Sequence, residues 1–199
     1  MNMDSLKNRK NRGKILVFSA ASGAGKTTLL TYLIETIPSL VYSISATTRK
    51  PRPGEVDGKH YFFISKEEFE AKISNNEFAE WEQVHGNYYG TPRSFIESVV
   101  SSGSNIVMDI DVFGKKKFDA VFPEAVGILV TPPSMEELDK RLRERNTDDE
   151  ATISLRLQNA KTEMEFARSE GKYEHVIVND NLEDAKIKIS ELIRTIIDG

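Results

Sequence analysis

The chain has 199 residues, a formal net charge of −4 and no cysteine, so its length suits one α/β domain, and disulfides, thiolate metal sites and thiol catalysis are excluded. The acidic balance argues against nucleic acid as a principal partner, and no apolar run reaches the length of a membrane span. Residues 1–14 are polar and basic without a signal-peptide core, so a cytoplasmic protein with a flexible basic tail over 1–12 is expected.

The apolar, β-branched run at 15–18 predicts a strand. Small residues and then Gly-Lys-Thr lead into a helical pattern over 26–37, built on Leu29, Leu30, Leu33, Ile34 and Ile37 and closed by Pro38. Strand, loop and helix fit the phosphate-binding pattern G-x-x-x-x-G-K-[ST], with Ala20 at the first glycine position. Ala20, Ala21, Ser22, Gly23, Ala24, Gly25, Lys26, Thr27 and Thr28 are therefore assigned to a nucleoside triphosphate. Gly23 and Gly25 let successive N–H groups turn inward as an anion nest, and the helix N-terminus faces the same phosphates. Lys26 brings a charge to the β/γ-phosphates, and the Thr27 hydroxyl is a Mg²⁺ ligand.

Residues 40–46 read as a second strand. The stretch 47–61 is a basic loop, in which Arg49 and Arg52 stand close enough to converge on one phosphate. A strand over 60–65 leads to a helix capped by Ser65 with Glu68, and Phe69 and Ile73 face inward. Residues 77–90 suggest a hairpin turning at His85-Gly86-Asn87. Thr91 and Pro92 read as N-cap and first residue of a helix that buries Phe95, Ile96, Val99 and Val100 and ends at Gly103. The strand 105–111 ends in Asp109 and Asp111, which share a face by alternation and read as a Walker-B-like Mg²⁺ or water ligand plus a substrate contact. The lysine run 115–117 reads as a solvated helix face.

A further strand is expected at 125–130. Ser134 with Glu137, and Thr147 with Glu150, form capping boxes for two helices. The first carries Arg141, Arg143 and Arg145; the second runs through Glu170 and carries Arg156. Arginines on either side of a short polar connection suit a lid closing over transferring phosphates. A last strand at 175–179 precedes a helix built on Leu182, Ile189, Leu192, Ile193 and Ile196. Strand–helix alternation implies a mostly parallel sheet covered on both faces, with a mixed β insertion at 47–91. Trp81, Phe62 and Phe69 are assigned to packing there, and His60, His85 and His175 show no metal-ligand spacing and receive no catalytic role.

Together these motifs resemble the guanylate kinase family over nearly the whole chain after the tail. The carriers are S-x-x-S-G-A-G-K-T-T, the long S-x-S-A-T-T-R-x-P-R-x-G-E-x-x-G-x-x-Y segment, E-W followed by G-N-Y-Y-G-T, D-I-D, R-L-R-E-R…R and V-I-V-N-D. The resemblance implies a P-loop nucleoside monophosphate kinase fold with core segments 13–46, 92–133 and 171–199, a GMP-binding subdomain at 47–91, and a lid region with a long helix at 134–170. It implies that Ser45, Arg49, Arg52, Tyr61 and Tyr89 hold the GMP phosphate and that Glu80, Thr91 and Asp111 read guanine. A carboxylate matches the N1–H and N2–H₂ donors of guanine, and adenine would leave it unpaired. Lys26 and Thr27 with Mg²⁺ would hold ATP, Asp109 would act on the metal through water, and Asn179 would contact the adenine. Lys26, Arg49, Arg141, Arg145 and Arg156 would stabilise the transferring group.

The implied reaction is ATP plus GMP, and dGMP as well, to ADP and the diphosphate, within purine nucleotide metabolism. The attacking phosphate oxygen is already anionic, so no general base is needed. No obligate protein partner is implied. The departures from the family pattern are Ala20-Ala21 for Gly-Pro, Thr91 for serine, Phe113 for glutamine and Asn146 for a lid glycine. A kinase of the same architecture for another phosphate acceptor is one alternative. A phosphopeptide-binding domain of similar sequence is another, against which Lys26, Thr27, Asp109 and the lid arginines weigh.

Overall fold

A computed structural model describes residues 12–84, 86–144 and 148–199. In chain order the elements are β1 (Ile15–Ala20), α1 (Lys26–Thr36), β2 (Leu40–Tyr42), β3 (Ala46–Thr47), β4 (Phe62–Phe63), α2 (Lys66–Ser74), β5 (Phe78–Val84) and β6 (Asn87–Pro92). There follow α3 (Arg93–Ser101), β7 (Asn105–Asp109), α4 (Val112–Val121), β8 (Val126–Thr131), α5 (Met135–Glu144), α6 (Glu150–Ser169), β9 (His175–Val178) and α7 (Leu182–Asp198). Two sheets form, a five-stranded one in the order β2-β7-β1-β8-β9 and a four-stranded one in the order β4-β3-β6-β5. Every pairing in the first is parallel, and the second is mixed.

The central strand β1 is buried along its whole length, as a strand covered on both faces must be. Its alternation divides the core. Leu16 and Phe18 join Leu29 and Leu33 of α1 and Ile189 and Ile193 of α7. Ile15 and Val17 join Ile96 and Val100 of α3 and Phe118 of α4 on the other face. In the smaller sheet Phe69 of α2 is wholly buried between the rings of Phe78 and Tyr88, a burial that contributes about 2–3 kcal/mol. Among the described residues no helix is long and apolar enough to cross a membrane.

Several local expectations are corrected. The stretch 40–46 is two strands in different sheets, because β2 pairs with β7 while β3 pairs with β4 and β6. The strand expected at 60–65 is reduced to Phe62–Phe63, where β3 is its partner. Thr91 and Pro92 belong to β6, and α3 begins at Arg93; the Thr91 hydroxyl is committed to Glu80 instead of a cap. β7 ends at Asp109, so Asp111 does not share a strand face with it. Asp111 is the N-cap of α4, accepting from the N–H groups of Phe113 and Gly114.

Asp149, not Thr147, caps α6 by accepting from Thr152 N–H; Thr147 lies outside the described residues. The hairpin pairs Val84 with Asn87 around Gly86 at φ 82°, with His85 outside the described residues. Lys115 is buried, not solvated. Its ammonium donates to both Asp119 oxygens and to the Lys172 carbonyl. Leu182 and Trp81 are partly exposed, and Ala185 takes the first inward position of α7.

Candidate functional site

The loop 20–28 leaves the carboxyl end of β1 and lines a cavity of about 380 Å³ together with Asp111 and Glu163. Gly23 and Gly25 sit at φ 89° and 91°, where a side chain would be strained. Asn179, just beyond β9 and buried, donates its Nδ2 to the Ala24 carbonyl at 2.9 Å, and a Cβ on Gly25 would overlap that nitrogen. Ala20 and Ala21 are buried, and Ala21 packs with Leu138 and Leu142, so small side chains suit both positions. The Lys26 ammonium is paired with Asp109 at the end of β7. Ser22 N–H donates to Glu163 Oε2 at 3.1 Å. Glu163 belongs to no motif singled out in the sequence; it reaches the loop from α6, which is distant along the chain.

The register of the four-stranded sheet sorts its side chains. Glu80 pairs with Thr91, Glu82 with Tyr89, and Thr47 with Tyr89, so these five share one face. The opposite face is closed by packing. A Cβ on Gly90 would stand 3.0 Å from Phe69, Phe78 and Trp81 atoms.

Beside this sheet the Arg49 guanidinium donates to Glu55 Oε2 and Oε1 at 3.0 and 2.9 Å and to the Lys50 carbonyl at 2.8 Å. It lies 5.5 Å from the Tyr61 ring and 5.8 Å from the Phe63 ring. The Arg49 hydrogen bonds, with the bond from Arg52 N–H at 2.7 Å, hold the Glu55 carboxyl down at about 2. Glu55 went unassigned in the sequence although it stands within the long motif; its pairing with Arg49 was the missing signal. Tyr61 and Tyr89 meet edge to face at 6.1 Å. The Ser45 carbonyl accepts from Phe62 N–H at 2.9 Å, and Arg52 is exposed.

Glu80 accepts from the Thr91 hydroxyl at 2.6 Å. Burial pushes its carboxyl up to about 6, the Thr91 hydrogen bond opposes that shift, and the charge of Asp111 adds to it. Glu80 comes from β5 and Asp111 from the N-cap of α4, and they converge over Gly114. A Cβ there would stand 3.4 Å from Glu80 Oε2 and 3.2 Å from Asp111 Oδ2. The place is thus a carboxylate-lined slot with a glycine floor.

The expected arginines are dispersed. Arg141 donates to Glu137 at 3.0 Å and to the Asn179 and Asp180 carbonyls at 2.7 and 2.9 Å, against the connection from β9 to α7. Arg156 pairs with Asp148 at 3.1 Å. Arg145 and Asn146 lie outside the described residues. Phe113 packs on Phe166 of α6, ring centroids 4.7 Å apart. The structure therefore gathers Lys26, Thr27, Thr28 and Asp111 around one cavity, with Asp109 paired to Lys26, and brings Glu80 and Thr91 to Asp111 at the slot. Arg49, Tyr61 and Tyr89 cluster beside the smaller sheet.

A family model described as guanylate kinase matches residues 12–196. Guanylate kinase from Desulfitobacterium hafniense is 42% identical over 184 residues, which cover 92% of this chain and 90% of that one. Guanylate kinase from Bartonella henselae is 48% identical over 181 residues, covering 90% and 80%. The crystal structure of guanylate kinase from Anaplasma phagocytophilum superposes with a TM-score of 0.70 at 36% identity, covering 94% of this chain and 87% of that one.

Proposed function

Because the chain belongs to the guanylate kinase family and is an ATP:GMP phosphotransferase, we propose that the loop 20–28 binds ATP and that the four-stranded sheet with the Glu80–Asp111 slot binds GMP. The observation that carries this reading is the Glu80 carboxylate, oriented by Thr91 and matched by Asp111 across Gly114. Two acceptors so placed fit the N1–H and N2–H₂ edge of guanine. Adenine would leave them desolvated and unpaired.

The acceptor phosphate belongs with Arg49, Arg52, Tyr61, Tyr89 and Ser45. Glu55 occupies one end of the Arg49 guanidinium and Tyr89 lies against it, so a phosphate oxygen would share the guanidinium with Tyr89. The anionic GMP oxygen attacks the terminal phosphorus of ATP, the bond to the bridging oxygen breaks, and ADP leaves. Lys26 neutralises charge on the donor phosphates. Arg141, Arg145 and Arg156, on a lid region at 134–170, close over the transferring group and exclude water once the subdomain at 47–91 approaches the core.

Among the described residues no cluster of three or more His, Asp or Glu side chains forms a metal cage. Thr27 lines the donor cavity and Asp109 stands against Lys26, so a Mg²⁺ brought by the nucleotide would be held by the Thr27 hydroxyl and, through water, by Asp109. Such an ion supplies charge neutralisation at the donor phosphates. The product serves purine nucleotide metabolism, and a cytoplasmic setting without nucleic acid, membrane or obligate protein partner suits the acidic, cysteine-free chain.

ADP release measured against a panel of GMP, dGMP, AMP, UMP and dTMP with ATP and Mg²⁺ tests the reading. Turnover with the two guanine nucleotides alone is expected. Equal turnover with AMP would remove the role given to Glu80.

A further inference from the structure

Among the described residues Glu163 is a carboxylate in contact with a backbone amide of the loop 20–28, and the phosphoryl transfer gives it no task. It lies seven residues after Arg156, about two turns along α6 and on the same side of that helix. Ile153 and Ala160, three residues before Arg156 and Glu163, turn the adjoining face of α6 into the cluster with Leu138 and Leu142. Glu163 Oε2 accepts from Ser22 N–H at 3.1 Å, and the side chain lines the same cavity as Lys26, Thr27 and Asp111.

Ser22 immediately precedes the left-handed turn at Gly23, on the strand side of the nest and away from α1. The nest and the helix N-terminus take the inner phosphates, and Lys26 reaches toward the outer ones. The outermost phosphate is therefore the one that meets Ser22 N–H and Glu163. One N–H serves one acceptor well, and two anions brought to the same N–H repel. A nucleoside diphosphate ends one phosphate short and escapes both penalties.

We propose that Glu163 is a specificity-determining residue of the donor site, which by holding the Ser22 amide disfavours a nucleoside triphosphate relative to a diphosphate. Tight ATP binding then requires α6 to withdraw Glu163, and α6 is the helix that carries Arg156. Engagement of the triphosphate is in this way tied to movement of an arginine. The inference rests on the assignment of the loop 20–28 to ATP.

The test is calorimetric titration of ADP and of ATP, each with Mg²⁺ and without GMP, into the full chain and into its Glu163→Gln and Glu163→Ala variants. The expected result is an ATP Kd lowered about tenfold in Glu163→Ala, a smaller gain in Glu163→Gln, and an ADP Kd within about twofold of the parent in both. The Gln side chain keeps an acceptor for Ser22 and removes only the charge, so it carries the test should the Ala variant fail to fold. Parallel shifts for ATP and ADP, or weaker ATP binding in either variant, would overturn the proposal. Failure of the parent protein to bind ADP would instead overturn the assignment of the loop itself.

Discussion

Gly25 and Asn179 meet at the wall of the donor cavity: the Asn179 amide nitrogen, bonded to the Ala24 carbonyl, occupies the space a Cβ on Gly25 would need. Gly25 also stands at φ 91°. Gly25→Ala therefore meets both backbone strain and a side-chain collision. The expected result is a stability loss of about 1–3 kcal/mol together with loss of detectable ATP binding, read by thermal melting and calorimetry.

Glu80 links function to stability. Its folded-state carboxyl lies at about 6, against an ordinary 4.5, so the folded protein binds more protons than the unfolded chain between those values. The stability contributed by this group rises as pH falls through that window, and at neutral pH the buried charge costs on the order of 2 kcal/mol. Glu80→Gln is expected to melt higher than the parent at pH 7.5 and to lose that advantage at pH 4.5. Its kcat/KM for GMP should fall about a hundredfold or more. Melting curves at the two pH values, with steady-state kinetics, check both halves.

Glu55 is predicted to act through Arg49. Glu55→Gln removes the charge that fixes the guanidinium end-on and keeps the size of the side chain. KM for GMP should rise about tenfold while KM for ATP stays within about twofold, since the pair stands beside the sheet proposed for the acceptor and away from the loop 20–28. An equal rise in both would mean that Glu55 merely supports the fold.

Lys26→Ala should cut turnover about a thousandfold or more and leave the melting midpoint close to that of the parent, because the lysine lines a cavity and its partner Asp109 keeps access to water. Chelation by EDTA should likewise stop turnover, leave the melt unchanged, and be reversed by Mg²⁺. A large drop in the melting midpoint on chelation would point to a structural ion.

Lys115 makes the opposite case. Lys115→Ala would strand the Asp119 carboxylate, 11% exposed, and the Lys172 carbonyl, at a cost of about 3–5 kcal/mol. Activity per folded molecule should persist, as urea unfolding combined with active-site titration would show.

Local patterns carried much of this protein. The apolar run before Gly-Lys-Thr, the helical spacing after it and the long basic motif were legible because each depends on neighbours in the chain. Strand β1, helix α1 and the family itself follow from them. Ser65 and Ser134 announced helix starts for the same reason, since a cap bonds within three residues.

Partnerships across the chain were not legible. The 40–46 stretch alternates throughout, and only the positions of β7 and β6 divide it between two sheets. Asp119 four residues after Lys115 offers it a partner without predicting burial, which also depends on the Lys172 carbonyl arriving from beyond α6. Glu163 reached Ser22, and Asn179 reached Ala24, through the packing of distant helices and strands. The sequence by itself supplied the groups proposed to bind phosphate and guanine, because that chemistry resides in side chains and short backbone turns. Only the tertiary structure decided which carboxylate neutralises Lys26, which one holds Arg49 and which one enters the donor cavity. Each of those charges has several candidate partners in the chain, and the one that wins is the one the fold brings within hydrogen-bond range.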